Sequence, residues 1–273
     1  MDTLTTTNGR LLKDILHCHR QWTEGGSEHL RCVLDGETLN EAPLQKIYLR
    51  RAILRGTTFL DADLTDVDLS EAILETVDFE RAILSGSDMS HAQVSNSQFS
   101  EAWLTAAILA DTKFRGTSFR KAQLRESLCQ GAVMENCKLG AAILDSSSSH
   151  HARPTSCDFS ECEVNHAEFY GAHMQSCRFH SVFGLNANFS NTHLKTCDFA
   201  KADLARAKFT RADFGASQFD RAVLPDSDFR HADLSGVDFS RSDLSNAHFG
   251  GAKLFAADLR GANLAGAREL TAG

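Results

Sequence analysis

Between Leu34 and Leu264 a large apolar side chain recurs at every fifth residue. Leu, Phe, Met or Val fills 43 of the 47 positions whose numbers end in 4 or 9; the exceptions are Cys129, Ser149, Pro154 and Gly184. Two residues before each stands a small side chain, with Ala, Cys, Ser, Thr or Val at 45 of the 47 positions. The remaining positions carry mostly Asp, Asn, Ser, Thr, Arg, Lys and Gly. A period of five fits neither the 3.6 of a helix nor the 2 of a strand. It fits a chain that turns a corner every five residues, with one large and one small side chain per side pointing inward. Four such sides make one coil, so side chains four repeats apart stack on each other.

The aromatic residues test that coil length. Sixteen of the 18 Phe stand in the five-residue register, and only Phe183 and Phe255 do not. Phe59, Phe79, Phe99, Phe119, Phe159, Phe179, Phe199, Phe219 and Phe239 fall four repeats apart, with Leu139 the one break. Phe169, Phe189, Phe209, Phe229 and Phe249 form a second column half a coil away. Rings at the ~4.8 Å spacing of neighbouring strands pack as stacks. About 12 coils at that spacing give a rod roughly 55 Å long. Its stability is a sum of nearest-neighbour terms.

Runs such as Ala232-Asp233-Leu234, Val237-Asp238-Phe239 and Ser242-Asp243-Leu244 resemble the A-[DN]-[LF]-x-x motif of the pentapeptide-repeat proteins. The resemblance covers residues 32–266. It implies an all-β solenoid, a right-handed quadrilateral β-helix of about 12 coils, here with a short N-terminal capping α-helix. The expected organisation is a helical cap and lead-in over 1–30, the β-helix over 31–266 and a short tail over 267–273.

At the N-terminal end, Leu11, Leu12, Ile15, Leu16 and Trp22 share one face of a helix expected over 9–24. Asn8 is its expected N-cap, and Gly25-Gly26 stops it. The helix shields the first coil from solvent and from edge pairing. After Leu264 the residues are small or polar. The last coil, near Leu254, Leu259 and Leu264, is therefore expected to be poorly covered and to offer a homodimer surface. The stretch 145–154, rich in Ser and His, reads either as a loop leaving the rod or as an irregular half-coil. Cys137, Cys157, Cys177 and Cys197 favour the half-coil, because they fall one coil apart at the small inward position and excising 145–154 would break their column. Val182-Phe183-Gly184 reads as a bulge.

Composition adds constraints. No apolar run nears the roughly 20 residues that span a bilayer, and no signal-peptide pattern opens the chain. Eight Cys scattered along 273 residues read as reduced thiols of a cytoplasmic protein. The four-Cys column reads as apolar filler. His17 and Cys18–His19 lack the spacing to share a helix face, and His173 and His193 read as solvated. No phosphate-cradling glycine loop, nucleophile elbow or metalloprotease helix is present. A convex rod also offers no cleft to perturb a catalytic pair. The reading is a non-enzyme without metal or cofactor.

Charge is uneven. The net charge is -8, yet residues 56–112 hold 11 acids and one base, Arg81. That cluster makes Asp61, Asp63, Asp66, Asp68, Glu71, Asp78 and Asp88 the candidate partner-binding patch, steering toward a basic protein surface rather than nucleic acid or an anionic membrane. Two functions fit. One is a rod-like protein-interaction scaffold of bacterial type. The other follows from the resemblance: some pentapeptide-repeat proteins mimic duplex DNA and protect DNA gyrase or topoisomerase IV from poisons such as quinolones.

Overall fold

The computed structural model describes residues 4–7 and 9–270. A single α-helix, α1 (Leu12–Thr23), precedes a 3₁₀ turn over Glu28–Leu30. Leu12, Ile15, His19 and Trp22 lie on its buried face. Its N-cap is Leu11, in extended conformation and without a side-chain cap; Asn8, the expected cap, lies outside the described residues. The helix ends at Glu24, and Gly25 takes φ +106°, which a side chain would resist. Leu12 and Ile15 join the same apolar core as Cys32, Leu34 and Leu39, so α1 covers the first coil.

Nine strands follow: β1 (Val33–Asp35), β2 (Ile53–Arg55), β3 (Ile73–Glu75), β4 (Gln93–Ser95), β5 (Lys113–Arg115), β6 (Val133–Glu135), β7 (Arg153–Thr155), β8 (His173–Gln175) and β9 (His193–Lys195). They form one parallel sheet in sequence order. Partners stand four repeats apart, as in Leu34↔Leu54 and Leu54↔Leu74. We call this side one. Side two carries the Thr58↔Asp78↔Gln98 ladder, side three Asp63↔Ile83↔Trp103, and side four Asp68↔Asp88↔Ile108. On sides two to four the corners leave one bridged residue per coil, so no regular strand forms. The named sheet thus spans eight turns rather than the expected 12 or so. The same offset continues as single bridges to His248↔Arg268.

Each coil is bonded to the next through the backbone. The Phe59 N–H donates to the Asp78 carbonyl at 2.7 Å, and the Asp78 N–H donates to the Thr57 carbonyl at 3.0 Å. Corners close locally, as where the Ala62 N–H donates to the Phe59 carbonyl at 3.1 Å. From Gly36 to Gly266 the residue just before each small inward position takes positive φ, for example Asp61 at 56°, Asp66 at 56° and Glu71 at 58°. Left-handed backbone costs a non-glycine residue roughly 1–2 kcal/mol. The inter-coil hydrogen bonds and the buried stacks on either side of the corner offset that cost.

The Phe columns form two stacks. Phe159, Phe179, Phe199 and Phe219 follow one another at 4.7 Å with rings within 5° of parallel. Phe169, Phe189 and Phe209 stack at 4.8 and 5.3 Å from the facing wall. The two stacks meet edge to face, Phe189 standing 5.9 Å from Phe179 and from Phe199 at 88° and 89°. Where Leu139 interrupts the column, a small cavity of about 20 Å³ lies among Phe119, Cys129, Leu139, Ser149, Pro154 and Phe159.

Both irregular stretches stay in register. Ser148 bridges Leu128 and Glu168, and β7 pairs Pro154 with Met134, so residues 145–154 are a half-coil and not an excursion. Phe183 bridges Glu163 and Asp203 with no slip, so the expected bulge at Val182-Phe183-Gly184 does not occur. A Cβ on Gly184 would lie 2.6 Å from Val164 Cγ2 and 2.7 Å from Leu204 Cδ2. The neighbouring coils fill the missing side chain's place, and the ladder needs no extra residue.

Candidate interaction surface

A coil turns through all four sides in four successive repeats, and this decides where the acids go. Asp63 lies on side three, Asp68 and Asp88 on side four, and Asp78 on side two. Asp61, Asp66 and Glu71 occupy successive corners. The acids that cluster in the sequence therefore form a belt around the rod. Only Asp68 and Asp88 stack directly on one side.

Local bonds engage most of the belt. Asp63 Oδ1 accepts from the Thr65 N–H at 3.1 Å and hydroxyl at 2.6 Å. Asp68 Oδ1 does the same with Ser70 at 2.9 and 2.6 Å. Asp78 accepts from the Glu80 N–H at 2.9 Å, and Asp88 from the Ser90 N–H at 2.8 Å. Each of the four backbone N–H bonds makes an Asx turn that holds the coming corner. Aspartate at this place in the repeat is thus first a corner cap, as it also is at Asp158, Asp198, Asp238 and Asp243.

Bases from adjacent coils meet the corner acids. Arg81 forks onto Asp61 with both contacts at 2.8 Å, and Arg50 reaches Glu71 at 2.5 Å. Hydrogen bonding to Arg81 holds the Asp61 carboxyl below its ordinary range, and Arg50 does the same for Glu71. The Thr65 hydroxyl lowers Asp63. These pairs are exposed, so each contributes little to stability. They mute the belt's field rather than abolish it.

The four-Cys column is buried, and each thiol donates to a backbone carbonyl: Cys137 to Glu135, Cys157 to Met134, Cys177 to Pro154 and Cys197 to Met174. The hydrogen bond with the Cys157 thiol, together with burial, pushes the Cys137 thiol up. Burial raises Cys32 and Cys162 to about 12. Such thiols are poor nucleophiles. The outward rings of His173 and His193 stack at 4.4 Å. Burial, then the neighbouring His193, lowers the His173 pKa. Among the described residues, no three His, Cys, Asp or Glu side chains are grouped to hold a metal ion. Among the same residues, no helix is long and apolar enough to cross a membrane.

Side three carries the feature that sequence reasoning missed. Ile83, Trp103, Phe183 and Val223 are 40%, 55%, 52% and 39% exposed, all on its outward ladder. In the sequence Phe183 stands out as a Phe outside the five-residue register and as the middle of the expected bulge. The signal for the rest was an apolar residue immediately before the inward one, recurring at whole-coil intervals.

A family model described as pentapeptide repeats (8 copies) matches residues 38–70, 62–100, 95–128, 104–140 and 232–268. A second, described as a pentapeptide repeat region, matches residues 152–229.

The chain belongs to the pentapeptide-repeat family.

Among solved structures it is similar to HetL, a pentapeptide-repeat protein involved in heterocyst differentiation regulation from the cyanobacterium Nostoc sp. strain PCC 7120. The identity is 23%, with 91% of this chain and 93% of that chain covered and a TM-score of 0.31. A pentapeptide-repeat protein of the Arabidopsis thaliana thylakoid lumen matches at 26% identity over 38% of this chain and 77% of its own, with a TM-score of 0.35. The plasmid-mediated fluoroquinolone resistance protein QnrB1 matches at 18% identity over 87% of this chain and 91% of its own, with a TM-score of 0.28. No curated protein matches the chain. In this pentapeptide-repeat chain, the repeat accounts for the inward columns and the corner aspartates.

Proposed function

We propose that this pentapeptide-repeat protein is a non-enzymatic, rod-like scaffold that binds other proteins, in a bacterial and cytoplasmic setting. The carrying observation is the filled interior. Two Phe stacks occupy much of it, leaving distinctive side chains only on four outward walls. Affinity capture from a bacterial lysate tests the reading, comparing wild type with variants altered on single walls. The scaffold reading expects a partner kept by wild type and lost by one wall's variant. Identical profiles from all of them would end it.

The acidic belt favours a second reading, protection of a type II topoisomerase by mimicry of DNA. Its binding would weaken sharply with salt. Wild type would restore gyrase supercoiling in the presence of a quinolone, and reversal of Asp63, Asp66, Asp68 and Asp78 to Lys would abolish that rescue. No rescue by wild type excludes the reading. Spread of the acids over several sides, rather than along one wall, is why the scaffold stands first.

Self-association belongs to the same proposal. Leu254, Leu259 and Leu264 are only partly buried, whereas Leu234 and Leu244 one coil earlier are fully so. A second copy stacked on this coil would cover them. Light scattering is expected to show a dimer that Leu259→Glu dissolves, and a strict monomer at high concentration rules it out.

A further inference from the structure

The outward ladder of side three runs Ile83, Trp103, Gln123, Ile143, Glu163, Phe183, Asp203, Val223. From Trp103 onward, apolar residues recur at every second coil, with Gln123, Glu163 and Asp203 between them. Leu185, at the corner beside Phe183, is also exposed. Neither the repeat nor the core requires this, because all these side chains point away from the interior. Two coils advance about 9.6 Å along the rod. An α-helix advances about 10.5 Å over a heptad. Inclining such a helix by roughly 24° to the rod projects one spacing onto the other. An extended peptide puts same-face side chains about 6.6–6.8 Å apart, which matches neither one coil nor two. From Trp103 to Val223 the stripe is about 29 Å long, the length of a helix of roughly 20 residues.

Charge narrows the partner. The only charged residues on this ladder are Asp63, Glu163, Asp203 and Asp243, all acidic. Glu163 and Asp203 make no ion pair among the described residues, and they sit between the apolar positions. We propose that side three is a docking wall for a basic amphipathic helix of a partner protein. Its apolar residues, one heptad apart, seat on Trp103, Ile143, Phe183 and Val223, and its Lys or Arg meet Glu163 and Asp203. This rests on the scaffold reading and assigns it a wall and a ligand class.

The test uses the full chain and a synthetic four-heptad helical peptide with Leu at its a and d positions and Lys beside them. Controls are the same peptide scrambled and a version with Glu in place of Lys. Trp103 is the reporter, since the other tryptophan, Trp22, is buried beneath Arg31 and Arg51. The expected result is a saturable blue shift, with the basic helix binding at least about tenfold tighter than either control. Phe183→Ser and Val223→Ser should each weaken it by about tenfold. Leu128→Ser, an exposed apolar residue on side four, should leave it unchanged. The double variant Glu163→Lys with Asp203→Lys should switch the preference to the acidic helix. Equal binding of the scrambled peptide, no saturable shift, or equal loss with Leu128→Ser overturns the proposal. A lysate partner lost only when another wall is altered would leave the scaffold standing while sinking this wall.

Discussion

Whether a phenylalanine faces in or out is settled by one step in the repeat. Phe179 sits at a position ending in 9, touches Phe159 and Phe199 at 4.7 Å, and is wholly buried. Phe183 sits one step before an inward position and is half exposed. Phe179→Ala should therefore cost roughly 3–5 kcal/mol, since rigid stacked neighbours cannot collapse into the gap. Phe183→Ala should stay within about 0.5 kcal/mol, as surface changes do. Denaturant unfolding of the two variants checks both, and wild-type stability for Phe179→Ala would show the inward register to be misassigned. This division was legible in the sequence because burial follows a strict period of five. The side-three stripe was not. Its members stand eight repeats apart, and only coil geometry shows that they share a wall.

At the scale of elements, α1 is held to the first coil by one titratable contact. His19 is buried, and its Nδ1 accepts the Cys32 N–H at 2.9 Å. The ring stacks on Trp22 at 5.4 Å. Burial, foremost, holds the His19 pKa below its ordinary value. A depressed folded-state pKa means that the folded cap prefers the neutral ring. The contribution is fully present above the unfolded pKa of about 6.5, and it is lost as pH falls through the lower folded value. Protonation also removes the lone pair that Cys32 needs. Hydrogen exchange at the Cys32 amide, corrected for its intrinsic pH dependence, should lose protection over the range in which pH falls from about 6.5 through the lower folded value, while amides in the middle coils keep theirs. His19→Gln should remove the acid dependence. Unchanged protection of the Cys32 amide across that range would disprove the coupling. The apolar face of α1 was plain in the sequence, but this contact was not. Helical spacing puts His19 on the face of Leu12, Ile15 and Trp22, but nothing in the local pattern says that its ring meets a backbone donor lying beyond the helix and its following turn.

Across the whole molecule, coils touch only their neighbours, and the unit of the rod is one coil of four repeats. Deleting 201–220 should leave every column aligned. It should lower Tm by only a few degrees, at about 2–4 °C for each kcal/mol lost in a chain of this size. Deleting 201–205 should be far worse, because it rotates everything that follows by a quarter turn and sets Phe columns against Leu columns. Thermal melts of the two deletions compare them directly, and equal damage would refute the modular account. The same geometry turns an acidic cluster that is linear in the sequence into a belt around the rod. Residues 61 to 80 are close in sequence, yet they look outward in four directions.

That winding has a consequence for how such a surface changes over time. Adjacent letters of the chain belong to different walls, while each wall is spelled once per coil. A substitution on one wall leaves the other three unaltered, and the stacked interior is indifferent to all four. One rod can therefore revise the recognition written on a single wall, or acquire a second client on another, without renegotiating its fold.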